Sequence, residues 1–153
     1  MAEAPVEIKP AGQLDWPFLA KMIGLTMRSL PHLAVKSAAE LESMARLEML
    51  NWQASRDFAF IAWKGNERAG AVWLHAGGEP GAQQYTLSIA VAPAFQHQGV
   101  GSGLLQYALD FSRRNSGLVL NLKVHPSNEA AIRLYRRFGF EVNLLEMKLR
   151  LSD

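Results

Sequence analysis

Between Ile89 and Gly103 the chain changes period within a few residues. An apolar run, Ile89-Ala90-Val91-Ala92-Pro93, ends in Ala94-Phe95-Gln96-His97-Gln98-Gly99-Val100-Gly101-Ser102-Gly103. From Val100 the apolar positions follow a helical period to about Asn115, and a second apolar run, Leu118–Val124, comes next. A strand that enters a helix through glycines and is followed by another strand reads as a crossover unit, which places the two strands parallel. Few architectures carry one such unit late in a chain.

The rest of the chain surrounds that unit with a different pattern. Val6–Lys9 alternates and reads as a short first strand, broken by Pro10-Ala11-Gly12. Leu14, Phe18, Leu19, Met22, Ile23 and Met27 recur at helical spacing and predict an amphipathic helix that Pro31 ends. Ser37 with Glu40 three residues on forms a capping box for a second helix carrying Leu41, Met44, Ala45 and Leu47. Phe58–Trp63, Ala69–His75 and Tyr85–Val91 are β-rich. Lys64-Gly65-Asn66 and Gly77-Gly78-Glu79-Pro80-Gly81 separate them, so the three predict an antiparallel meander. Asn128–Phe138 predicts a helix stopped by Gly139, and Val142–Leu151 a last strand or two. The order β-α-α-β-β-β-α-β-α-β defines an α+β (mixed α/β) class, a mostly antiparallel sheet with one parallel crossover. At 153 residues the chain is the size of one domain, 1–153.

Composition removes several classes of function. There is no cysteine, which excludes disulfides, thiolate metal sites and a cysteine acyl-enzyme. His32, His75, His97 and His125 are scattered, with no H-E-x-x-H, and no metal site is expected. The net charge of +2 gives no general case for nucleic acid or a membrane surface. No apolar run approaches the ~20 residues of a spanning helix, and the N-terminus lacks the pattern of a signal peptide, so a cytoplasmic location is expected.

The glycine junction is where chemistry is legible. Glycine lets backbone approach a ligand closely, and the first N–H groups of a helix are unsatisfied and partly positive. Together they suit a phosphate without any basic side chain. A dinucleotide fingerprint does not fit, because the third glycine comes one residue early and the position twenty after Gly101 is Asn121. The Gly-Lys-Ser/Thr of a P-loop is absent, and Val100 breaks a G-x-S-x-G elbow. A turn that only packs strand against helix is the competing reading.

Gln96-His97-Gln98-Gly99-Val100-Gly101 resembles the central Arg/Gln-x-x-Gly-x-Gly/Ala motif of the GNAT superfamily of acyl-CoA-dependent N-acyltransferases. Ala90-Val91-Ala92-Pro93 resembles that family's strand ending. Independently, Asn128–Phe140 is similar to its N-x-x-A-x-x-x-Y-x-x-x-G-F pattern. The resemblance runs from Phe58 to Leu151 and implies a central sheet with helices on both faces.

It also implies roles. Backbone N–H groups of Gln96, His97, Gln98, Gly99, Val100, Gly101 and Ser102 would hold the CoA pyrophosphate. Ile89, Ala90 and Val91 would offer backbone groups to the pantetheine arm, with the Ile89 N–H on the thioester oxygen as a catalytic donor. Asn128 would cap its helix and touch the arm, Ala131 would let CoA approach, and Tyr135 would protonate the departing sulfur. Asn128, Ala131 and Tyr135 share one helix face by spacing. From Phe111 to Phe138 there are six basic residues and one acid, an excess suited to a polyanion, with Arg133, Arg136 or Arg137 available to a phosphate.

The base is left unassigned. Where many family members carry a strand glutamate, this chain has Tyr85, and His75, Glu79 and His125 are the alternatives. The implied activity is acetyl-CoA-dependent N-acetylation, acetyl-CoA serving as co-substrate, by direct attack of a small-molecule or peptide amine on the thioester. The alternatives are a non-catalytic acyl-CoA-binding module, serving as a sensor or partner subunit, or another phosphate-ligand domain. Apolar Leu30–Val35 with Trp16, Phe18 and Trp52 makes an aromatic amine conceivable, and exposed terminal strands make a homodimer possible.

Overall fold

The computed structural model describes residues 5–77 and 83–152. The expected turn at 78–81, with Glu79, lies outside the described residues. Two compact units divide the chain, Met1–Lys123 and Val124–Asp153.

The first unit is built on one sheet of five strands in the order β1-β2-β3-β4-β5. These are β1 (Val6–Pro10), β2 (Asp57–Lys64), β3 (Glu67–Gly77), β4 (Gln84–Val91) and β5 (Val119–Asn121). The first three pairings are antiparallel and β4–β5 is parallel, as the crossover requires. The β2–β3 hairpin turns at Gly65, whose φ of +61° is the left-handed conformation that glycine adopts without strain. Strand β3 is central and buried on both faces from Ala69 to Leu74.

Strand parity sorts side chains onto two faces. On one, Ile61, Ala71, Trp73 and Ala90 form a core with α1 (Trp16–Arg28) and α2 (Ala38–Met49). Helix α1 contributes Leu19, Ala20, Met22 and Ile23. Helix α2 buries Leu41, Ala45 and Met49 at i, i+4, i+8. Full burial of each large side chain contributes roughly 1.5–3 kcal/mol. The other face carries α3 (Val100–Arg114). There Phe60 meets Tyr107 and Phe111 with ring centroids 4.8 and 5.0 Å away, and Phe58 meets Phe111 at 5.1 Å. Helices thus cover both faces of a mostly antiparallel sheet, the expected class.

Local expectations meet three corrections. Leu14 is not on the buried face of the first helix. It is 86% exposed in a 3-10 turn at Gln13–Asp15, and the residue that turns inward there is Asp15. Leu47 points outward, because the buried stripe of α2 runs through Leu41, Ala45 and Met49 instead. The strand expected over Leu118–Val124 is only three residues long. The capping box is present, Glu40 N–H donating to Ser37 Oγ at 3.2 Å and Ser37 N–H to Glu40 Oε1 at 3.3 Å.

In the second unit, α4 (Glu129–Arg137) starts at Asn128, whose Oδ1 accepts from the Ala131 N–H at 3.3 Å. It stops at Gly139, φ +96°. There Phe140 N–H donates to Tyr135 C=O and Gly139 N–H to Arg136 C=O, the paired bonds of a Schellman ending. No strand forms over 142–151, which corrects the expected final strands: the alternation is present but a strand exists only through a ladder, and none is made. Among the described residues no helix is long and apolar enough to cross a membrane.

Candidate functional site

The parallel pair is the key to the site. Strands β4 and β5 share three rungs, Gln84↔Val119, Tyr85↔Leu120 and Thr86↔Asn121. Beyond Thr86, β4 runs on for five residues and β5 does not follow. Main-chain groups of a strand alternate sides. The Ala92 N–H donates to Ala69 of the β3 side at 2.8 Å, and the Gln83 carbonyl accepts from Leu118 N–H on the β5 side at 2.9 Å. Alternation then turns the N–H groups of Leu87, Ile89 and Val91 toward the open side, and those of Ser88 and Ala90 toward β3. Two of the three expected strand donors, Ile89 and Val91, thus face the opening, and Ala90 faces the ladder.

The chain leaves β4 through a 3-10 turn at Pro93–Phe95 and a loop containing two left-handed residues, His97 (φ +63°) and Gly99 (φ +80°). Gly99 is the N-cap of α3 and no side chain caps the helix. The first intrahelical bond runs from Gly103 N–H to the Gly99 carbonyl, so the N–H groups of Val100, Gly101 and Ser102 project from the helix end. No acid lies in the first turn. Gln98 braces the loop with its side chain: Oε1 accepts from Lys64 Nζ at 2.7 Å and Nε2 donates to the Ala94 carbonyl at 3.4 Å.

The helix start is pressed onto β3 at Gly70. A Cβ there would stand 2.8 Å from the Ala90 oxygen, 3.2 Å from Leu104 Cδ1 and 3.3 Å from Val100 Cγ1. Only glycine lets α3 sit this close, and that fixes its first-turn N–H groups beside the open edge of β4.

In the second unit Asn128, Ala131 and Tyr135 lie along α4. The Tyr135 ring stands edge-on to Phe140 with centroids 5.8 Å apart. Burial pushes its phenol above the ordinary tyrosine range, so it stays protonated at neutral pH and can act as a donor. Arg136 and Arg137 occupy the last turn, where cations also suit the helix dipole.

The sequence alternatives for a base fall differently. Tyr85 is buried and its O–H donates to the Asn115 carbonyl at 3.2 Å, a packing role. His125 Nδ1 accepts from the Ser127 N–H at 3.2 Å and lies 2.7 Å from its Oγ, a local turn. His75 lies 2.5 Å through Nδ1 from Oδ1 of Asp57, a residue the sequence reading did not single out. The Asp57 side chain is 1% exposed. Its burial pushes the carboxyl up, but bonds from Arg56, the Gln53 N–H and His75 outweigh that and hold it below the ordinary value.

The family model described as the acetyltransferase (GNAT) family matches residues 25–140. The N-alpha-acetyltransferase RimI of Mycobacterium tuberculosis is 46% identical over 54 residues, 35% of this chain and 32% of that protein. The mycothiol acetyltransferase of Acidimicrobium ferrooxidans is 31% identical over 112 residues, 72% of this chain and 36% of that protein. The chain thus spans about a third of the length of these relatives. A Pyrococcus furiosus protein assigned as an acetyl transferase aligns over 96% of this chain and 100% of its own at TM-score 0.77 and 21% identity, a likeness of fold alone.

Proposed function

The chain belongs to the acetyltransferase (GNAT) family, and from that premise we propose that it transfers the acetyl group of acetyl-CoA to a primary amine by direct attack on the thioester. One observation carries the reading: an uncapped helix N-terminus stands beside a strand whose Ile89 and Val91 N–H groups have lost their ladder. Both features suit a long ligand with phosphates at one end and a carbonyl at the other, which supports the reading.

In this reading the N–H groups from Gln96 to Ser102 take the pyrophosphate, with the helix dipole behind them. The pantetheine arm lies along the open edge and the Ile89 N–H meets the thioester oxygen. As the amine attacks, that oxygen gains charge, and a fixed N–H there stabilises it, a contribution on the order of 3 kcal/mol for one oxyanion donor. Asn128 and Ala131 line the arm, and Tyr135 gives its proton to the departing thiolate. We treat residues 1–153 as one functional domain, since the reading draws on both motifs.

The acceptor class is a primary amine. The Nα-amine in the name of the RimI relative makes a peptide with a free N-terminus the first member of the panel, with spermidine, an aminoglycoside and an aromatic amine beside it. Calorimetry with CoA and acetyl-CoA, followed by thiol release against that panel, tests the proposal. Binding with release supports it. Absence of binding at high micromolar CoA overturns it, and binding without release to any amine favours the non-catalytic module.

A further inference from the structure

We propose that His75, oriented by the buried carboxylate of Asp57, is the group that takes the proton from the acceptor ammonium, an assignment that rests on the acetyltransferase reading above. Asp57 is the first residue of β2 and His75 stands directly opposite it on β3. The carboxylate accepts from the Gln53 N–H at 2.7 Å and from Arg56 Nε and Nη2 at 3.1 and 2.9 Å. Its other oxygen lies 2.5 Å from His75 Nδ1. A carboxylate held ionised by these donors requires the proton on Nδ1. The tautomer is thereby set, and Nε2 carries a lone pair.

That lone pair has no partner among the described residues. His75 lines a pocket of about 280 Å³ together with Glu48, Asn51, Trp52, Arg56 and Asp57. The Trp52 ring stands edge-on to the imidazole with centroids 5.4 Å apart and closes one side. Among the described residues, the charged or titratable groups that line this pocket with His75 are Asp57 and Arg56 beside it and Glu48 of α2.

The place in the sheet connects this pair with the reaction. His75 is in register with Thr86, and Thr86 is the last β4 residue that pairs with β5. Three residues along, roughly 10 Å by strand rise, the Ile89 N–H opens. Thr86 and Ser88, opposite His75 and Trp73, share the sheet face of His75 and carry hydroxyls that accept one proton and donate another. The proton passes from the ammonium through water and these hydroxyls to Nε2.

The step balances. The ammonium loses one proton to Nε2, and the resulting imidazolium is stabilised by Asp57. The freed lone pair forms the C–N bond while the carbonyl π pair moves to oxygen. Collapse restores C=O and breaks C–S, the pair leaving on sulfur. Tyr135 protonates the thiolate and is itself restored by the second nitrogen proton. The imidazolium gives its proton to water in the pocket, leaving amide, free thiol and one proton.

The test uses the whole chain with acetyl-CoA and n-butylamine, a minimal amine probe, over a range of pH. His75→Gln is expected to lower kcat about 100-fold at neutral pH with acetyl-CoA affinity unchanged. The deficit should close at alkaline pH, where butylamine is already neutral. Asp57→Asn should fall between, and its imidazole should lose the Nδ1–H tautomer in long-range 15N–1H spectra. A His75→Gln protein as fast as wild type, or equally impaired at every pH, or unable to bind acetyl-CoA, overturns the assignment. An Nε2–H tautomer in the wild type overturns it without any turnover measurement. A wild type that binds no acetyl-CoA fails the underlying reading, a result calorimetry separates from the others.

Discussion

Two residues carry the site in opposite ways. Gly70 contributes by having no side chain. In Gly70→Ala the new Cβ meets the backbone oxygen of Ala90 at 2.8 Å, and neither β-strand can yield cheaply. The expected cost is about 1–3 kcal/mol, read as a lower urea midpoint, with weaker CoA binding because Val100 and the first turn of α3 are pushed off the sheet. In the proposed reaction Tyr135 contributes a proton. Tyr135→Phe keeps the edge-on contact to Phe140 and removes only the O–H, so kcat should fall about 10- to 100-fold while calorimetric CoA affinity stays near wild type. Unchanged turnover would remove the phenol as the acid. Gly99, Gly101, Asn128 and Tyr135 were all legible in the sequence because each belongs to a short contiguous motif. Asp57 was not, because its importance lies across a hairpin. Its signal was arithmetic: counting outward from the Gly65-Asn66 turn brings residue 57 to within one position of residue 75, and the bulge at Ala62/Trp63 supplies that one.

At the scale of elements, local chemistry was readable and pairing was not. The Ser37 box, the Gly65 turn and the Gly139 stop each depend on residues within a few positions, and each formed as the sequence implies. Ser37→Ala should cost about 1 kcal/mol in chemical denaturation, since it strands the Glu40 N–H and releases the Glu40 carboxylate. CoA affinity should be unchanged, because α2 gives no group to the α3 loop; a fall in affinity would show that the cap does more than hold its helix. The length of β5 is a different kind of property. Leu118–Val124 carries apolar residues at five of its seven positions, the last at Val124, yet the ladder ends at Asn121, because its extent depends on where β4 continues without a partner. The same holds for 142–151, where Leu145, Met147, Leu149 and Leu151 alternate with Glu146, Lys148 and Arg150. Alternation states a capacity for a strand; only a neighbouring edge makes one.

Across the whole sheet of the first unit, β3 is clamped at both ends by buried carboxylates from other segments. At its start Arg68 donates to Asp15 at 2.8 Å while lying over the Trp63 ring at 4.6 Å, and Asp15 also accepts from the Gly12 N–H at 2.7 Å. At its far end His75 meets Asp57. Burial raises both carboxyls, and the bonds from Gly12 and Arg68 in one case, and from Arg56, Gln53 and His75 in the other, lower them by more. A carboxyl whose folded value lies below its unfolded one binds protons preferentially in the unfolded chain, so stability rises with pH across that interval. The contribution is complete above the unfolded value of about 4 and is lost as the pH falls through the lower folded value. The wild type should therefore hold a constant urea midpoint near neutral pH as far as these two groups are concerned, and lose it below about pH 4. Asp57→Asn should start lower, by about 1–3 kcal/mol, because Arg56 and His75 lose their acceptor. It should then decline less steeply in acid, having no proton left to gain at that position. An unchanged acid slope in Asp57→Asn would mean that Asp57 carries none of the linkage, and that the clamp at the His75 end positions a side chain without holding the sheet together.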